Sequence, residues 1–208
     1  MLKIFFQGGL VMYSLLICSL LALTIVVERV IFYVRNQSPS QREITTFKTY
    51  LKQGKLDEAK KIIARWESSL GRVAVVAVRQ WESTPEILEC AIEAIGIEEL
   101  QRVQRGLNVL DSIVTASPLL GLLGTVFGII KCFTALSVVT SGQNAGLSLG
   151  IAEALYNTAF GLVIAIPALF CVSIFYNLAE QRVQELNLEC QELMTIHKRP
   201  GDFVEASA

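Results

Sequence analysis

Charge is scarce in this 208-residue chain, and what there is nearly cancels: Asp, Glu, Lys and Arg make up 18% of it, and the net charge is -1. With no basic excess and no compact basic patch interleaved with aromatics, nucleic-acid binding has no electrostatic basis. Histidine occurs once, as His197 beside Lys198 and Arg199, where it reads as a solvated side chain rather than a ligand. No Cys-x-x-Cys spacing links the five cysteines; Cys18, Cys132 and Cys171 lie in apolar runs, Cys90 and Cys190 in charged helical stretches. Disulfide and zinc readings are both weak, and a reducing compartment suits the two thiols in polar stretches. The glycines between 121 and 128 lack the Gly-Lys-Ser/Thr ending of a phosphate loop. No Ser/His/Asp arrangement, metal-ligand spacing or nucleotide fingerprint stands out, so no cofactor or metal is expected and the chain does not read as an enzyme.

What is plentiful is apolar side chain, at 52% of the residues with a mean hydropathy of +0.50. That is too apolar for an ordinary soluble domain, and a lipid-facing fraction is needed to absorb the surplus. Residues 10–27 form an uncharged run of 18, enough with its flanks to cross a hydrocarbon core of about 30 Å. Glu28, Arg29 and the apolar residues 30–34 follow it, unlike the small-residue ending of a signal peptide, so it reads as a retained span. A second run, 112–139, is broken only by Lys131, and a third, 151–178, only by Glu153. The expected fold is therefore all-α: an integral membrane protein with three transmembrane helices and a helical cytoplasmic domain. Its expected parts are an N-terminal segment and first span (1–34), the cytoplasmic domain (35–111), the second and third spans (112–178), and a cytoplasmic C-terminal helix and tail (179–208).

Orientation follows from the cations. Thirteen of the eighteen Lys and Arg lie between Glu28 and Asp111, three follow Leu178, and the link 140–150 has none. The positive-inside rule then puts 28–111 and the C-terminus in the cytoplasm, and the N-terminus and the link outside. Within the cytoplasmic segment, 55–67 is amphipathic through Leu56, Ala59, Ile62, Ile63 and Trp66. Thr84, Pro85 and Glu86 make a helix start. From Ile87 to Leu110 only Gly96 and Gly106 interrupt the pattern, so one long helix into the second span is expected. Val183, Leu186, Leu188 and Leu193 recur between charges, so the third helix is expected to continue as well.

In the second span Ser117, Gly121, Gly124, Gly128 and Ala135 share one helical face; in the third, Ala154, Thr158, Gly161, Ala165 and Ala168 do the same. Small residues at this spacing let helix backbones approach in lipid, where van der Waals packing replaces the hydrophobic effect. Both faces read as packing seams. Pro167 lies inside the third span and should bend or loosen it. Glu153 sits about one turn inside the outer end of its run, where a carboxylate is costly. Lys131 is expected to snorkel toward the outer surface or toward an acidic lipid or protein group. Thr158 lies in the seam, and packing alone would explain it.

These residues carry a resemblance. Glu98-Glu99-Leu-Gln-Arg-Val-Gln-Arg-Gly106-Leu, then Ala116-Ser-Pro118-Leu-Leu-Gly121-Leu-Leu-Gly124-Thr125-Val-Phe-Gly128, and Gly150-Ile-Ala-Glu153-Ala-Leu-Tyr-Asn-Thr158-Ala-Phe-Gly161-Leu-Val-Ile-Ala-Ile-Pro167-Ala resemble the MotA/TolQ/ExbB proton-channel family, closest to its ExbB/TolQ branch. The likeness is close over residues 98–177 and looser over the first span. It implies an inner-membrane motor subunit in a homo-oligomeric ring, typically a pentamer. The ring surrounds a single-span ExbD/TolR-like partner whose membrane aspartate carries the proton. A TonB/TolA-like protein passes the motion to the envelope, as in TonB-dependent import. Thr125, Glu153 and Thr158 map onto the family's polar lumen positions. A plain helix turns about 140° between Glu153 and Thr158, so both reach one lumen only through tilt, distortion near Asn157, or different partners.

Two other function classes compete. A structural scaffold would anchor a single-span partner without conducting protons. A self-contained transporter is disfavoured by the lack of inverted repeats and paired broken helices. An oligomer is expected because three helices cannot bury two long seams, Glu153 and Thr125 within one chain.

Overall fold

The computed structural model describes residues 9–138 and 145–198, apart from the side chains of 135–138 and 145–147. Residues 140–144 of the uncharged link and the Ala135 side chain lie outside that description. Seven helices occur among the described residues: α1 Gly9–Arg35, α2 Gln41–Lys52, α3 Leu56–Ile63, α4 Ser69–Arg79, α5 Pro85–Gln104, α6 Leu107–Val138 and α7 Ala145–Lys198. Among these residues there is no strand, and three helical stretches are long and apolar enough to cross a membrane. The chain divides into two compact units. Met1–Arg29 with Gly106–Tyr176 forms one, called here the membrane unit, and Val30–Arg105 with Asn177–Ala208 forms the other, the helical unit.

The helical unit is assembled by local signals. Glu43 accepts a hydrogen bond from the Ser40 backbone N–H at 3.1 Å, tying off the start of α2. Asn36 grips the start of α4 from both sides of its amide, accepting from the Ser69 N–H at 2.9 Å and donating to the Ser69 hydroxyl at 3.0 Å. Pro85 opens α5 after Thr84, its missing N–H being one that the first helical turn leaves unpaired in any case. The amphipathic faces then close on one core of Ile44, Phe47, Leu51, Ala59, Ile63, Val73, Leu88, Ile92, Leu186 and Leu193. Each large side chain buried there contributes roughly 1.5–3 kcal/mol.

Two expectations about this region need correction. The long helix expected from Ile87 onward is broken: α5 ends at Gln104, and Gly106 turns the chain at φ +78° before α6 begins. A left-handed residue ends a helix, and glycine adopts it without steric cost. The Val103 carbonyl, within the last turn of α5, is taken by the Tyr33 hydroxyl at 3.1 Å. In the C-terminal part of α7 the buried face is Leu186, Cys190, Leu193 and Ile196, at helical spacing, while Leu188 is exposed.

In the membrane unit, Val11, Met12 and Leu15 of α1 pack on Leu120 of α6 and Ile164 of α7. Both long helices contain a proline, Pro118 in α6 and Pro167 in α7, and both remain helical through it. Pro167 is exposed, on the face away from the seam.

Candidate functional site

The two small-residue faces meet each other inside a single chain. A Cβ placed on Gly121 would lie 2.9 Å from the Asn157 carbonyl oxygen and 3.2 Å from the Thr158 Cα; one on Gly161 would lie 2.7 Å from the Ser117 carbonyl oxygen. One on Gly128 would lie 2.7 Å from the Gly150 carbonyl oxygen and 2.8 Å from the Ala154 Cβ, and one on Gly124 would run into the Asn157 side chain. The α6 and α7 backbones are therefore in contact over about three turns, which only residues this small permit. Ala154, Ala165 and Ala168 are buried on the same face of α7. Since one chain closes both seams, the seams themselves supply no reason for oligomerisation.

The three polar residues singled out from the sequence are not joined to one another. Thr125 is half-buried, and its hydroxyl donates to the Leu122 carbonyl at 2.7 Å. Thr158 is also half-buried, and its hydroxyl reaches back to the Ala154 carbonyl at 3.4 Å. Such back-bonding satisfies a hydroxyl in lipid locally. Glu153 has a different partner: Lys131 Nζ lies 2.5 Å from its Oε1, with the Glu153 side chain 11% exposed and that of Lys131 56% exposed. Of the destinations open to Lys131 on sequence grounds, the structure selects an acidic protein group. Among the described residues α7 begins at Ala145, so Glu153 lies about two turns into the helix.

The sequence carries one signal for this pairing: Lys131 and Glu153 are the lone charges of their two runs and have opposite signs. Asn157, which no sequence motif marks, belongs to the same place by its burial. It is 1% exposed, its amide has no hydrogen-bond partner among the described residues, and it fills the space that Gly124 leaves open. Buried polar groups without partners are uncommon and expensive. In the helical unit, Glu99 is fully buried and holds Arg72 at 2.5 Å, with Arg102 at 3.9 Å from its other oxygen. Among the described residues no cluster of three or more His, Cys, Asp or Glu could hold a metal ion.

The site is thus a closely packed apolar helix pair that carries the Lys131–Glu153 ion pair together with the Thr125 and Thr158 hydroxyls. Residues 65–188 match the model of the MotA/TolQ/ExbB proton channel family. A Synechocystis protein named ExbB-like 1 is 32% identical over 202 residues, covering 93% of this chain and 78% of the relative. Another from that organism, ExbB-like 3, is 28% identical over 95% of each. The Tol-Pal system protein TolQ of Pseudomonas aeruginosa is 36% identical over 106 residues, 51% of this chain and 46% of TolQ. The chain is a membrane protein that belongs to the MotA/TolQ/ExbB proton channel family, on its ExbB/TolQ side.

Proposed function

We propose that the chain is the ring-forming subunit of an inner-membrane proton-driven motor. In this reading several copies, five by analogy with the family, surround an ExbD/TolR-like single-span partner. Proton flow along Thr125, Glu153 and Thr158 is converted into work on the cell envelope through a TonB/TolA-like protein, as in TonB-dependent import. The N-terminus is periplasmic and the C-terminus cytoplasmic. The observation that carries the reading is Glu153, an ionisable group kept buried within an apolar helix pair. Such groups are rare in spans and mark ion pathways, and each charge crossing 100 mV releases about 2.3 kcal/mol.

The scaffold reading draws on a different observation, that both threonine hydroxyls are satisfied by their own helix. Substitution separates the two. Thr158→Val keeps shape and removes the hydroxyl, while Thr158→Ser does the reverse. In a proton path, Glu153→Gln and Thr158→Val abolish proton-driven envelope work with the ring intact, and Thr158→Ser retains much of it. If Glu153→Gln and Thr158→Val both assemble and work normally, the chain is a scaffold. Topology is checked by an impermeant thiol reagent in cells with a permeabilised outer membrane: a cysteine replacing Gln143 reacts, and one replacing Gln53 does not.

A further inference from the structure

In the helical unit, α5 is apolar on two opposite sides. One side holds Leu88, Ile92 and Val103, all buried. On the other, Ile87, Cys90, Ala94 and Ile97 are exposed and fall within an arc of about 80° on an α-helix. A helix resting on a core should be polar on its outward side, and one that is apolar all round belongs in a buried setting. Ile87 and Ile97 are nevertheless 52% and 54% exposed. The flanks of this stripe are acidic, with Glu86 and Glu93 on one side and Glu98 on the other, all exposed. Residues 82–98 hold five Glu and no Lys or Arg. A complementary surface lies on the same unit. A groove of about 280 Å³ runs between α2 and α3, with Arg42, Lys61 and Arg65 around Ile62, and all three cations are exposed. Its acidic neighbour Glu43 is tied to the Ser40 backbone N–H, and Lys61 meets Glu58 at 2.8 Å on open surface, a contact worth little. Residues 42–65 carry seven Lys or Arg against three Asp or Glu. Because α2 packs on α3, α3 on α4 and α4 on α5, groove and stripe lie at opposite ends of this series and do not meet within one chain.

We infer that the helical unit carries its own contact between copies: the apolar, acid-flanked outward face of α5 docks into the basic α2–α3 groove of the next copy of this chain. This rests on the reading of the chain as a ring-forming subunit. Two α5 helices set face to face would bury the same isoleucines, but they would also set Glu86, Glu93 and Glu98 against their equals, and like charges across an interface are penalised. Charge therefore selects the groove over a second α5. A face that meets a different face makes a heterologous contact, which leaves one stripe and one groove unfilled after every addition. Copies in a membrane share one orientation, so repetition about the membrane normal closes a ring. Since α6 and α7 close their small-residue seams within one chain, this contact supplies the attraction between copies that the seams do not.

Cross-linking of the whole chain in native membranes tests this. Cys90 stands in the stripe and is exposed, so a cysteine replacing Arg42, Lys61 or Arg65 gives every copy both halves of the contact. A short bis-maleimide is then expected to join copies into a ladder of dimers, trimers and higher bands, and Cys90→Ser removes it. If none of the three gives a ladder, or if Cys90 alone gives a dimer and the new cysteines add nothing, the inference is overturned. With the cysteine at Arg65, Glu86→Lys with Glu93→Lys should abolish the ladder, and Arg42→Glu with Lys61→Glu should restore it; a ladder indifferent to these charges overturns the inference. Ile87→Gln with Ile97→Gln should weaken the ladder about tenfold or more. The unfolding temperature of the dissociated chain should not fall, because both side chains are exposed there. An undiminished ladder in that variant overturns the inference as well. Native mass measurement of the unaltered protein tells the two readings apart. A chain that stays single at all concentrations removes the ring and this contact together, whereas a ring that stands while the ladder is missing overturns the contact alone.

Discussion

In the membrane unit, Gly121, Gly128 and Gly161 bring two backbones into contact, with carbonyl oxygens less than 3 Å from where a Cβ would be. In the helical unit the equivalent space is filled by Phe47, Leu51, Leu88, Ile92 and Leu193, all almost fully buried. The large apolar residues of the membrane unit, Leu20, Leu122, Phe133, Val163 and Phe170 among them, are exposed instead. One chain thus uses its bulky side chains in opposite ways, and the solvent accounts for it. In water, burying a leucine is itself the driving force. In hydrocarbon a leucine gains little by leaving lipid, and helices hold together through close backbone packing.

The comparison breaks most visibly if the seam is filled. Gly121→Leu places its Cβ against backbone atoms of Asn157 and Thr158, which cannot turn aside as a side chain can. The helices must separate, at a cost of more than about 3 kcal/mol, and no folded protein is expected by size-exclusion chromatography in detergent. Gly96 in α5 is the control, since a Cβ there meets nothing within 4 Å. Gly96→Ala should leave folding intact and raise stability by about 0.5–1 kcal/mol. Equal outcomes for the two substitutions would remove the distinction between the units.

Each unit also buries one carboxylate against a cation, and this sharpens the contrast. Glu99 is enclosed completely with Arg72 at 2.5 Å, within a core that the hydrophobic effect already stabilises. Arg72→Met leaves buried Glu99 to the more distant Arg102, 3.9 Å away, and should cost up to about 3–5 kcal/mol, read as a lowered denaturant midpoint of the helical unit in the whole protein. Arg72→Met with Glu99→Leu should recover most of that loss, because an apolar pair of similar volume often replaces a buried ion pair at no net cost. A double substitution as unstable as the single one would show that Glu99 does more than balance Arg72.

How far these features could be read in advance depended on the range of the signal. The spans were legible because their pattern is local: long runs without charge, bounded by Glu28, Arg29, Asp111 and Glu180. Gly96 and Gly106 looked alike as mild interruptions, yet the first stays helical and the second ends α5. Glycine permits the left-handed conformation without requiring it, and the Tyr33 hydroxyl that meets the carbonyl at the break comes from 70 residues away. Leu188 illustrates the same limit, because alternating charges around it suit several helical faces and only the core of α2 to α5 selects Cys190 instead. The small-residue seams were visible, but not that they face each other. The Lys131–Glu153 pair joins two helices across 22 positions, beyond any periodicity argument.

The smallest expected effect separates the units by alkaline pH. Cys190 lies in the core of the helical unit, where burial, aided by the charge of Glu189, pushes its thiol from 9.0 up to about 11. Burial pulls Lys48 down, but its hydrogen bonds to Glu189 and Glu192, each 2.7 Å, outweigh that and hold it above its usual 10.5. Both shifts have one sign: the folded unit retains protons that the unfolded chain would release. The associated stability is fully present below pH 9.0, begins to fall there as an unfolded thiol ionises, and is lost as pH rises through about 11. The unfolding temperature of the helical unit should therefore decline across that interval, and Cys190→Val, which removes the titrating thiol from the core, should flatten the first part of the decline while leaving the part due to Lys48. Thiol chemistry gives a second reading, since only the thiolate reacts. At about pH 8, where an ordinary exposed thiol is partly ionised, Cys90 is exposed and should alkylate readily while Cys190 does not. Equal alkylation of the two would mean that the α7 face carrying Leu186, Cys190 and Leu193 opens from the core on its own, and the helical unit would then lack the water-driven packing that sets it apart from the membrane unit.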